Sequence, residues 1–94
     1  MIRANLSISQ PYDQVLKDAT MIDCSSNGTP SGSATAGKTI FIKLKNAVAS
    51  QPSVSGLTNV EFTANTDYVI GEAVGGAVSA NSGSGNPSAI FMLP

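Results

Sequence analysis

The sequence predicts an all-β fold: a small, single-domain antiparallel sandwich or barrel of six to seven short strands spanning residues 1–94, with two long Gly/Ser-rich loops. Three observations predict it. Apolar and polar residues alternate at period two in several short segments, as in strands with one buried face. Gly, Pro, Asn, Asp and Ser punctuate those segments at the spacings typical of sandwiches and barrels. Ser, Thr, Asn and Gly together fill more than a third of the chain, a mixture suited to turns and exposed strand faces.

The elements follow in chain order. Residues 2–8 set Ile2, Ala4, Leu6 and Ile8 on one face and Arg3, Asn5 and Ser7 on the other, a half-buried strand. Gln10-Pro11 ends it, because the residue before proline is held extended and proline donates no ladder hydrogen bond. Residues 12–18, which include Tyr12, form one helical turn or a loop, and residues 19–24 read as a second strand. Residues 25–37 carry Gly28, Gly32, Gly37 and Pro30 among many Ser and Thr, and read as a long flexible loop. Residues 38–45 form the strongest strand, with Ile40, Ile42 and Leu44 on one face and Thr39, Phe41, Lys43 and Lys45 on the other. Ile40, Leu44, Ala47 and Val48 also fit helical spacing, but the Ile-Phe-Ile run and the missing capping signature favour a strand.

Gln51-Pro52-Ser53 marks a break. Residues 59–64 alternate again, with Val60, Phe62 and Ala64 inward; Asn65-Thr66-Asp67 turns the chain, and residues 68–74 complete a hairpin. Gly75-Gly76 turns into residues 77–80, and residues 81–88 form the second flexible loop. Residues 89–93 make a last, nearly continuous apolar strand.

Charge is sparse, with five basic and six acidic residues and a net charge of −1. No Lys/Arg cluster exists to neutralise phosphates, which argues against nucleic acid and against an anionic membrane surface. Lys43 and Lys45 are expected to guard an outer strand face against unwanted pairing. The first residues lack an apolar run of signal-peptide type, and no stretch approaches the roughly 20 apolar residues of a membrane helix. The chain is therefore expected to be made in the cytoplasm and to stay soluble.

One motif invites chemistry. Gly32-Ser33-Ala34-Thr35-Ala36-Gly37-Lys38-Thr39 matches the phosphate-loop pattern G-x-x-x-x-G-K-[ST]. A working phosphate loop follows a buried strand and opens a helix, so that backbone N–H groups face the phosphates. Here a polar Ser/Gly stretch precedes the match and strand-forming residues follow it, so the match is expected to be accidental. Cys24 is single and His is absent, which leaves no Cys/His metal set and no Ser–His–Asp triad. Cys24 reads as a small buried hydrophobe. Asp13, Asp18, Asp23, Glu61, Asp67 and Glu72 are scattered along turns and outward faces and read as solvated carboxylates. No cofactor and no catalytic residue are expected.

The terminal Phe91, Met92 and Leu93 carry the remaining signal. They form either a central strand of the domain's own sheet or a segment that docks on a neighbouring subunit or partner. The overall size, the start at Met1-Ile2-Arg3, the Ser/Asn/Gly-rich loops at 25–37 and 81–88 and the apolar end Phe91-Met92-Leu93-Pro94 resemble the small decoration (cement) proteins on the heads of tailed bacteriophages. The resemblance runs over the whole chain. It implies a β-rich, often trimeric virion protein that binds the capsid surface and reinforces contacts between major capsid subunits without catalysis. Its partners would be the major capsid protein and copies of itself, with Phe91, Met92 and Leu93 as candidate contact residues. Two other readings stay open: an adhesive or fibre module of tail or pilus type, and a nucleotide binder through Gly32–Thr39.

Overall fold

The computed structural model describes residues 16, 18–22, 32–81 and 87–94. Among them lie nine strands: β1 (Thr20–Ile22), β2 (Ser33–Ala34), β3 (Thr39–Val48), β4 (Ser53–Ser55), β5 (Leu57–Glu61), β6 (Thr66–Ala73), β7 (Gly76–Ala77), β8 (Ser79–Asn81) and β9 (Pro87–Met92). The longest, β3, is built from the Ile-Phe-Ile run, whose branched and aromatic side chains suit a pleated surface. It sits at the centre of a five-stranded antiparallel sheet ordered β1-β9-β3-β6-β5. Two short pairs, β2 with β7 and β4 with β8, complete the all-β, sandwich-like domain.

Alternation decides where the core lies. Ile22 faces Ile90, Ile90 faces Ile42, and Ile42 faces Val69, so one row of aliphatic side chains crosses four strands. None of the four is more than 3% exposed. Ile40 and Leu44 point the same way and are fully buried. Ala34 of β2, Val78, and Ala80 of β8 close over this row, with Val54 of β4 packed against it. Burying each large aliphatic side chain contributes about 1.5–3 kcal/mol, so this layer dominates the stability of the domain.

The hairpin expected from residues 59–64 and 68–74 is present, but its first strand lies earlier, at β5. Asn59 adopts φ 53°, the register between β5 and β6 shifts between Thr58 and Glu61, and the strand ends there. Phe62 therefore lies beyond the strand, though it still packs on the core. The turn falls at Ala64-Asn65, where Asn65 takes φ 65°; Thr66 and Asp67 already belong to β6.

Both expected loops contain strand residues. Ser33 and Ala34 pair with Ala77 and Gly76, and Asn81, Pro87 and Ser88 belong to strands. Residues 25–31 and 82–86, like the strand expected at 2–8 and Cys24, lie outside the described residues. Lys43 is not an edge guard: β3 has neighbours on both sides, and among the described residues the outermost strands of the sheet are β1 and β5.

Candidate functional site

Three strands of the sheet carry unbroken apolar runs: Ile40-Phe41-Ile42, Tyr68-Val69-Ile70 and Ile90-Phe91-Met92. Successive side chains of a strand point to opposite faces, so such runs give the sheet two apolar faces. One is the core. On the other, Met21 faces Phe91, Phe91 faces Phe41, and Phe41 faces Ile70, a second apolar row across β1, β9, β3 and β6.

This outer face has a closed centre and an open margin. The Phe41 and Tyr68 rings stack with centroids 5.8 Å apart and planes 5° from parallel, an offset arrangement that aromatic quadrupoles favour. Both residues are buried, and Leu16, Ile70, Phe91 and Leu93 pack around them while staying only partly buried. Met21, on edge strand β1, is 47% exposed.

Acidic groups flank the apolar centre on the β6–β5 side. Glu72 lies opposite Thr39 and Thr58, and Glu61 opposite Ile70, which sets both on the outer face, exposed to solvent. Glu72 Oε1 accepts a hydrogen bond from Asn59 Nδ2 at 3.2 Å. Asp67 Oδ2 meets Lys43 Nζ at 2.8 Å, and the same ammonium donates to the Leu44 carbonyl at 3.2 Å. Burial, followed by the negative fields of Asp67 and Glu61, holds the Tyr68 phenol above its ordinary range.

The three terminal candidates separate. Phe91 and Leu93 join the outer cluster, whereas Met92 points to the core, and its Sδ accepts the Thr35 N–H at 3.3 Å. Their backbone is committed to the domain's own sheet, with β9 hydrogen-bonded to β1 and β3 and the Leu93 N–H donating to the Thr39 carbonyl at 2.9 Å. Met21 and Ile70 were not singled out by sequence reasoning, which read Glu61, Asp67 and Glu72 as solvated carboxylates on turns and outward faces. The continuous apolar runs were the available signal, because a strand buried on one face only alternates.

Gly32–Thr39 folds as β2, a turn at Ala36-Gly37 and the first residue of β3, with no helix after Lys38. The Gly37 N–H donates to the Ala73 carbonyl at 2.8 Å and the Lys38 N–H to the Thr35 carbonyl at 3.1 Å. Backbone donors that a phosphate loop turns towards phosphates are here spent inside the fold. Among the described residues no three metal-ligating side chains gather. An open cleft of about 360 Å3 lies along residues 48–53 beside Asn81, and among the described residues its lining carries no charged side chain.

Comparison with protein-family models, with curated proteins and with solved structures finds no match for this chain.

Proposed function

We propose that this protein is a non-enzymatic virion structural protein that binds and reinforces the outer surface of a phage capsid. The observation that carries the reading is the outer sheet face, where Met21, Phe91, Ile70 and Leu93 present partly exposed apolar surface around the Phe41–Tyr68 stack. A contiguous apolar face is a surface on which another protein docks. Lending binding energy to a shell requires such a face, held rigidly by a sheet, and no reacting group. Phe91 and Leu93 act there as side chains on a fixed strand. The terminal segment itself is not donated to a neighbour.

Self-association into a trimer belongs to the same proposal, since a domain of 94 residues gains stability from added buried apolar area. The test is co-sedimentation of the purified protein with capsid shells lacking it. Saturable binding at micromolar concentration is the expected result. Protein that stays in the supernatant across that range contradicts the reading.

A further inference from the structure

Methionine sulfur is a soft nucleophile, and the two methionines among the described residues lie on opposite sides of the sheet. Met21, on β1, stands opposite Phe91 on the outer face and is 47% exposed. Met92, on β9, packs partly buried against the core. Its Sδ accepts the Thr35 N–H at 3.3 Å, which engages a lone pair of the sulfur. A thioether reacts with a peroxide through such a lone pair, so access to the sulfur sets the rate. From this placement we infer that Met21 is an oxidation site: a hydroperoxide converts it to methionine sulfoxide while Met92 of the same sheet is spared. The sulfur lone pair attacks one peroxide oxygen, and an S–O bond forms as the O–O bond breaks. The sulfur is oxidised by two electrons and the peroxide is reduced. The proton of the transferred oxygen passes to the departing hydroxide, giving water.

The position of Met21 decides what the product does. A sulfoxide is polar and chiral where the thioether was apolar. At Met21 it stands at the β1 end of the outer row that continues through Phe91, Phe41 and Ile70. The next residue, Ile22, points to the core and is 3% exposed, so the buried row keeps its packing. Oxidation thus changes one face of the sheet without loosening the fold. On the shell-binding reading, on which this consequence rests, the sulfoxide weakens attachment through that face, and reduction of the sulfoxide restores it.

The experiment treats the intact protein with hydrogen peroxide, in buffer and in urea, and locates the added oxygen by fragment-ion mass spectrometry. In buffer Met21 is expected to react at least about tenfold faster than Met92; in urea, where the fold shields neither, the two should react alike. Equal rates in buffer, or a difference that persists in urea, overturn the inference. Tm and binding to capsid shells are then compared before and after peroxide for wild type and Met21→Leu. Met1 and Cys24 are present in both proteins, so an effect of their oxidation appears in both. Wild type is expected to keep its Tm and to lose at least about fivefold in affinity. Met21→Leu, whatever its starting affinity, should show no further loss. A matching loss in Met21→Leu, or undiminished wild-type binding with Met21 oxidised, overturns the proposed consequence and leaves the shell-binding reading standing. No binding by wild type before peroxide overturns that reading and the consequence together, and the oxygen map, read without shells, still decides the site.

Discussion

Gly56 connects β4 to β5 at φ +85°, and a Cβ placed there runs into the Ala77 carbonyl oxygen. Two penalties coincide, a left-handed backbone and a contact with backbone that cannot swing aside. Gly56→Ala is expected to cost about 2–4 kcal/mol, read as a lower urea midpoint at unchanged slope; an unchanged midpoint contradicts the geometry. Tyr68 makes a prediction about pH. Its phenol is held above the ordinary value of 10.0 in the fold, first by burial and then by Asp67 and Glu61. The unfolded chain therefore ionises this group first. The contribution to stability is complete below about pH 10 and disappears as pH rises through the folded value. Urea midpoints from pH 8 to 11 should fall more steeply in wild type than in Tyr68→Phe, and parallel curves would contradict the assignment. The Lys43–Asp67 pair is a different case: its side chains are 44% and 46% exposed, so Lys43→Met is expected to cost less than about 1 kcal/mol and still less in high salt.

Strands that rest on a long run of apolar residues were legible from sequence; strands that exist only as partners were not. β3, β9 and the β5–β6 hairpin follow from Ile40-Phe41-Ile42, from Ile90-Phe91-Met92 and from alternation around Val60 and Val69. β2 and β7, by contrast, contain only Ser33-Ala34 and Gly76-Ala77. Their pairing depends on neighbours distant in sequence, which single-segment patterns do not encode. Lys43 was misplaced for a related reason, since strand order is a property of the whole sheet. At the same scale, deleting residues 91–94 removes Met92 and Phe91 from both ladders of β9 and Leu93 from its bond to Thr39. The loss of these partly buried side chains and of their ladder hydrogen bonds is expected to lower Tm by at least about 10 °C. A truncated protein with wild-type Tm contradicts the central position of β9. The β2–turn–β3 path of Gly32–Thr39 likewise predicts no saturable heat on titration with ATP or GTP, and a saturable signal abolished by Lys38→Ala would restore the phosphate-loop reading.

For the whole molecule, the decisive physical fact is that the five-stranded sheet is apolar on both faces while the β2–β7 and β4–β8 pairs supply residues only to the core on one of them. Alternation in residues 38–45 implies a single inward face and puts Phe41 outside with Lys43. The unbroken run around Phe41 carries the opposite message, and in the fold Phe41 is 3% exposed. Half of the candidate surface was thus within reach of the sequence through Phe91 and Leu93. The other half, Met21, Ile70, Glu61 and Glu72, depends on register between strands and emerges only when the sheet is assembled. Electron cryomicroscopy of shells decorated with the purified protein tests the central proposal most directly. The account predicts density on the outside of the shell with the Met21–Phe91–Ile70 face turned towards capsid subunits. Undecorated shells, or attachment through the β4–β8 side with that face directed to solvent, would contradict it.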